Sequence, residues 1–205
     1  SPSIIVASTT AIDVLTGGYQ PNVAAGIGIF QISILVLMLL GALNFCFHYN
    51  LFRLKLRDIL TPEIKFYLIF LAVVTVVISI LDWINPFDSL FHVVSMSSSA
   101  GIEYLSIAGT SVGAKILFIV IGLVGGCAFS MAGGIRMRRI QQLASALRRS
   151  SDRPTRRELK SILIFIIGFV AILFMLSLAF MTIGITLIDS IFEVGSALTT
   201  NGVSM

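Results

Sequence analysis

The chain has 205 residues, 57% of them hydrophobic and only 12% charged, and a mean hydropathy of +1.01. A soluble domain of this size would carry about twice that charge, so the composition excludes an ordinary soluble protein and points to an integral membrane protein. The net charge of +4 is not a nucleic-acid signal, because the basic residues lie between apolar spans, and no nucleic-acid partner is expected. Cys46 and Cys127 both stand in apolar stretches and read as buried free thiols rather than a disulfide or metal pair. No cleavable signal peptide is visible, and truncation is expected at both ends.

In chain order, Val14–Pro21 contains Thr16-Gly17-Gly18-Tyr19, a small, glycine-bearing loop. Ala24–Phe47 is the first span, since about 20 apolar residues cross the hydrocarbon core. His48–Asp58 is an aromatic and basic interfacial edge. Thr61-Pro62-Glu63 reads as a helix start, with Thr61 capping and Pro62 in the first turn. Phe66–Leu81 is the second span. Pro86–Met96 follows as a candidate pore helix, with Asp88 suited to the positive helix end. It leads into Val93–Ile102, a hydroxyl-rich, uncharged stretch ending in Ser98-Ser99-Ala100-Gly101. Non-helical backbone is tolerated at membrane depth only where protein or a water-filled cavity surrounds it. A short helix that dips in and turns at small residues can aim backbone carbonyls at a passing cation. A Ser-rich external loop is the alternative.

Ala114–Val124 opens the third span, which Gly125-Gly126 and Gly133-Gly134 interrupt. Each glycine inside a helix costs about 1 kcal/mol relative to alanine. Such discontinuous helices mark transport sites, although close helix packing through small residues is an alternative. Ile135–Arg149 reads as a basic amphipathic helix and Ser150–Thr155 as a turn. Leu163–Ile188 is the fourth span, and Asp189–Thr199 a second short pore helix before Thr200-Asn201-Gly202. The three glycine loops are loosely regular in spacing, as divergent repeats of one unit would be.

Basic residues cluster between spans one and two and between spans three and four, so both loops are assigned to the cytoplasm. The glycine loops then face outward with Asp13, Asp82, Asp88, Glu103, Asp189 and Glu193. An acidic mouth raises local cation concentration, but each acid taken alone reads as helix capping or solvation.

These residues resemble the Trk/Ktr/HKT superfamily of potassium-uptake proteins. The resemblance rests on Thr16-Gly17-Gly18-Tyr19, Gly41–Tyr49, Phe91–Gly101, Gly125-Gly126-Cys127-Ala128 with Gly133-Gly134-Ile135-Arg136, and Phe192–Gly202. It implies an all-α integral membrane protein, with repeated membrane helix–pore loop–membrane helix units around a pseudo-fourfold pore. Residues 1–49 would end a second repeat, 50–149 form a third with a broken closing helix, and 150–205 form a fourth without its closing helix.

By the same resemblance, Thr16, Gly17, Gly18, Ser98, Ser99, Ala100, Gly101, Thr200, Asn201 and Gly202 would line an ion filter, holding potassium by backbone carbonyls. Gly125, Gly126, Gly133 and Gly134 would frame a gate. Potassium is then a transported substrate, with no cofactor bound directly. A homodimer and a cytosolic nucleotide-binding regulatory ring are implied as partners, in a multi-pass protein of the cell membrane. The arginine-rich hairpin between spans three and four would dock the ring, or would serve only as a positive-inside signal in contact with anionic lipid. Ser98, Ser99 and Ala100 stand where the family usually has threonines, and Phe129 and Ala132 replace small or glycine positions. A secondary cation symporter with its substrate at the broken helix is the alternative function. An enzyme is not expected, as no HExxH, Walker motif or Ser/His pairing is present.

Overall fold

The computed structural model describes residues 28–55, 59–82, 85–102, 110–147 and 154–203. The described residues form eight helices: α1 Gly28–Ala42, α2 Phe45–Phe52, α3 Pro62–Asp82, α4 Pro86–Ser98, α5 Val112–Val124, α6 Met137–Leu147, α7 Arg156–Met181 and α8 Leu187–Leu198. Thr16, Gly17, Gly18, Asp13, Glu103, Arg148 and Arg149 lie outside the described residues.

Two of these helices, α3 with 21 residues and α7 with 26, are long and apolar enough to cross a membrane. In α3 the Thr61 hydroxyl accepts from the Ile64 amide at 3.4 Å, and Pro62 takes the first position, where a missing N–H costs nothing. Ile64, Tyr67, Leu71, Val74 and Ile78 are buried on one face, while Ile69, Val73, Val76 and Ile80 on the other are exposed. A helix that is apolar all round yet buried on one side only is a membrane helix facing lipid or further protein. At the start of α7, Thr155 and Glu158 form a reciprocal capping box, with bonds of 3.3 and 2.8 Å.

The shorter α4 and α8 have 13 and 12 residues. At 1.5 Å per residue they reach about 20 Å, too short for a core of about 30 Å. α4 is buried almost throughout, packed among α1, α3 and α5, and α8 packs against α5 and α7. Both are held inside the bundle rather than spanning it. The short helix expected at Pro86–Met96 is present and runs two residues further, to Ser98.

Two expected spans change. The first does not run straight to Phe47. It stops at Ala42, turns at Leu43-Asn44 and resumes as α2, bent by 108°. Asn44 caps the new helix by accepting from the Phe47 amide at 2.9 Å. The bend carries Cys46 to the surface, so only Cys127 of the two free thiols is buried. The fourth span ends at Met181 rather than Ile188, because Thr182–Gly184 turn back onto the last helical carbonyls with amide bonds of 3.0–3.3 Å.

Candidate functional site

The backbones following α4 and α8 follow one course. Ser99 lies in the left-handed region at φ 60° and Gly101 at φ 63°; Thr200 and Gly202 match them at 58° and 68°. The Ala100 amide reaches back to the Ser95 carbonyl at 3.2 Å, as the Asn201 amide does to Ser196 at 2.9 Å. The correspondence extends through the helices, for Asp88-Ser89-Leu90-Phe91-His92-Val93-Val94-Ser95 aligns with Asp189-Ser190-Ile191-Phe192-Glu193-Val194-Gly195-Ser196. That shared Asp-Ser-x-Phe-x-Val-x-Ser signature was available to sequence reading, which paired only the glycine loops.

The two loops touch. A Cβ added to Gly101 would strike the Asn201 carbonyl and come within 3.6 Å of Val203 Cγ2. Ser98, Ser99, Ala100, Thr199 and Asn201 are all buried there. The α4 loop is tied down by its hydroxyls. Ser95 Oγ donates to the Ile102 carbonyl at 2.8 Å and accepts from the Ile102 amide at 2.7 Å. Ser97 Oγ lies 2.8 Å from the hydroxyl of Tyr67 on α3.

The segment between α5 and α6 lies directly against these loops. Its end is pinned to α5: the Ile135, Arg136 and Met137 amides donate to the carbonyls of Leu123, Val124 and Gly126 at 2.8–2.9 Å. Gly125 and Gly134 both have positive φ, at 68° and 84°. The result is a closed excursion in a helix that then resumes, as the paired glycines predict; the resumed α6 starts at Met137 rather than Ile135. Ser99 joins this excursion to the paired loops. Its Oγ accepts from the Gly133 amide at 2.9 Å and donates to the Thr199 carbonyl at 3.0 Å. A Cβ on Gly133 would press into that same Thr199 carbonyl.

The bend in the first span serves the excursion too. Breaking a helix at Ala42 frees its last carbonyls, which are costly to bury unpaired. Cys127 donates to Ala42 O at 3.0 Å and Met131 to Gly41 O at 3.2 Å, and His48 Nε2 lies 3.0 Å from Leu40 O. In return the Phe45 amide donates to Phe129 O at 3.0 Å, and Glu63 Oε1 accepts from the Ala128 amide at 2.6 Å. Sequence reading missed the roles of Asn44, Glu63 and Ser95. Asn44 carried a visible signal, a capping residue four positions before His48 inside an apolar run.

The acids Asp82, Asp88 and Asp189 cluster at helix ends. Asp82 Oδ1 accepts from the Ser111 amide at 3.1 Å, Asp88 from Asn85 at 3.3 Å, and Asp189 from Thr186 at 2.7 Å while lying 3.9 Å from Lys115 Nζ. They act as caps and links, the local reading of each. Among the described residues no His, Cys, Asp and Glu cluster could hold a metal ion.

No protein-family profile matches this chain. A protein of Methanocaldococcus jannaschii described as an uncharacterized cation transporter is 34% identical over 113 residues, 55% of this chain and 23% of that one. The Trk system potassium uptake protein TrkH of Halomonas elongata is 28% identical over 148 residues, covering 65% of this chain and 30% of the relative. The crystal structure of the potassium transporter TrkH from Vibrio parahaemolyticus shares the fold, with a TM-score of 0.76 at 18% identity over 94% of this chain and 50% of that one. In sequence this chain is similar to these cation and potassium transporters, and it shares the TrkH fold.

The chain spans 23% and 30% of the lengths of these two curated relatives, and half of the solved transporter. Its described part is all-helical and multi-pass, with the paired loops and the broken helix joined through Ser99.

Proposed function

We propose that this Trk/Ktr/HKT-like chain supplies part of a channel-like pore for potassium uptake. The observation that carries the reading is the pair of matching loops after α4 and α8, laid against each other with the broken-helix excursion bonded to both through Ser99. Loops of this kind replace the hydration shell of a large, weakly hydrated monovalent cation with backbone dipoles. In this reading Ser98, Ser99, Ala100, Gly101, Thr200, Asn201 and Gly202 line the ion path, Thr16, Gly17 and Gly18 contribute a third loop, and a further repeat closes a pseudo-fourfold ring. The segment bounded by Gly125-Gly126 and Gly133-Gly134 is the gate. The repeats divide at about residues 49 and 149, the basic loops face the cytoplasm of the cell membrane, and the glycine loops open outward. The assembly is a homodimer with a cytosolic nucleotide-binding regulatory ring, without enzymatic activity or a directly bound cofactor.

The symporter alternative needs a cation site at the broken helix. The cavity that borders it, about 370 Å³, lies beside the first-span bend, touches the broken helix only at Met131, and is otherwise walled by Leu40, Leu43, Phe45, His48 and Phe52. Such walls do not replace a hydration shell, which supports the loops as the ion site.

Ion flux and reversal potentials from the complete gene product in bilayers test the proposal. A potassium-selective conductance is expected, with none from this stretch expressed alone. Saturable flux locked to a sodium or proton gradient, without single-channel currents, would favour the symporter. Potassium-selective current from the isolated stretch would overturn the fourfold ring.

A further inference from the structure

In the α4 loop, Ser95 closes the turn itself by bonding both polar groups of Ile102. The α8 loop keeps the serine, Ser196, and the same backbone, but Ser196 makes no such bond. Its Oγ is buried and has no hydrogen-bond partner among the described residues. Where the α4 loop has Ala100, the α8 loop has Asn201. That side chain is fully buried, and neither its amide nitrogen nor its oxygen has a partner among the described residues. Three polar atoms are therefore gathered without bonds at one place. Leaving each unpaired in an interior carries a desolvation penalty.

The place they share is a cavity of about 10 Å³ between α4, α5 and α8, bounded by Ser196, Asn201, Met96, Phe118, Gly122 and Phe192. A void of roughly one water's size becomes occupied when it offers about 2–4 polar partners. Ser196 Oγ can donate or accept, Asn201 Oδ1 accepts and Nδ2 donates. A cation does not suit it, since apart from Thr199, whose hydroxyl already donates to Gly195 O, the other side chains lining it are apolar and a bare buried charge is costly. Gly122 on α5 keeps the space open. A Cβ there would lie 2.7 Å from Asn201 Nδ2 and take the place of the amide.

We propose that this cavity is a buried water site, in which one ordered water bridges Ser196 Oγ and the Asn201 amide. The water does for the α8 loop what the Ser95 hydroxyl does directly for the α4 loop. The site is independent of which ion the protein carries. It makes Asn201 a positioning residue that holds the loop from behind.

A high-resolution map of the full-length protein tests this. The expected result is a single solvent peak at about 2.7–3.2 Å from both Ser196 Oγ and the Asn201 amide. In Asn201→Leu, which keeps the bulk and removes the polar atoms, the peak should be lost. In Gly122→Ala the peak should be lost as well, with the Asn201 side chain displaced. If either variant fails to fold, the wild-type map decides alone. No peak in the wild type, with Ser196 Oγ bonded to a carbonyl of its own helix or Asn201 bonded directly to protein, would overturn the proposal. So would a peak retained unchanged in Asn201→Leu.

Discussion

The loops after α4 and α8 share a backbone, but only the first uses its hydroxyls to reach other elements. Besides closing on itself through Ser95 and Ser98, the α4 loop bonds outward: Ser97 to Tyr67 on α3, and Ser99 to Gly133 and across to Thr199. The α8 loop bonds to itself. Thr199 Oγ1 donates to Gly195 O and Thr200 Oγ1 to Thr199 O, both at 2.7 Å. The same fold of chain is thus a junction in one repeat and a self-contained turn in the other. The broken-helix excursion meets the α4 loop through the Ser99 hydroxyl and lies against the α8 loop at the Thr199 carbonyl, which Ser99 also holds.

The largest effect expected is at the contact between the loops. Gly101→Ser forces a left-handed residue to carry a side chain, at ~1–2 kcal/mol, and drives its Cβ into the Asn201 backbone. Reversal potentials in mixed potassium and sodium should show the preference for potassium falling about tenfold or more, equivalent to ~1.4 kcal/mol. Gly168→Ala, on α7 with nothing within 4 Å of the added Cβ, is the matched control and should leave the preference unchanged. If both variants keep the parent's preference, the loops do not form the ion path.

Gly133→Ala comes next. Its φ is not in the left-handed region, so the added methyl acts through contact, chiefly with the Thr199 carbonyl and secondarily with the Thr200 hydroxyl. Pushing the excursion off that carbonyl by ~1 kcal/mol should raise basal flux about fivefold. Unchanged flux and unchanged regulator dependence would count against a gate here.

Ser99→Ala removes the junction while leaving both backbones free of clash. It strands the Gly133 amide, a cost of ~1–3 kcal/mol, while the Thr199 carbonyl keeps the Thr200 hydroxyl. Thr200→Ala loses only a bond to the neighbouring carbonyl. In flux assays Ser99→Ala should exceed Thr200→Ala in effect; equal effects would erase the contrast between a junction loop and a self-contained one.

Ser95→Ala against Ser196→Ala sharpens the contrast in stability. Ser95 makes two direct bonds, each worth ~0.5–1.5 kcal/mol, so its loss should lower the melting midpoint in detergent more than the loss of Ser196. The smallest effect is expected from Lys115→Gln. The Lys115–Asp189 pair is part-exposed at 3.9 Å, and such pairs contribute ~0–1 kcal/mol. A melting shift of many degrees would mean that this pair clamps α5 to α8.

Much of this architecture was legible in the chain. α4 announced itself through Pro86 and Asp88 at its start and Gly101 beyond its end, and α3 through Thr61-Pro62. The excursion was bounded by its glycine pairs because glycine reaches φ values that other residues avoid. The bend at Leu43-Asn44 was hidden, since in lipid an apolar run reads alike whether straight or folded. Only the Asn44 cap distinguishes the two. The end of α7 was hidden for the same reason, with Ile183 and Ile185 continuing the apolar pattern on either side of Gly184. The division of labour between Ser95 and Ser196 was beyond reach, because it depends on where neighbouring helices place a hydroxyl's partners.

The bend and the excursion hold one another's exposed backbone, so neither can move dry. Displacing the excursion would strip the Gly41 and Ala42 carbonyls of their donors and the Cys127 and Met131 amides of their acceptors. In a nonpolar interior those groups have nowhere to turn. For the gate proposed above, opening would therefore also be a wetting transition: solvent must enter the bend as the excursion leaves it. Agents that dry this region, such as osmotic stress or a bulky apolar side chain at Gly41, should hold the segment in place without touching the ion path.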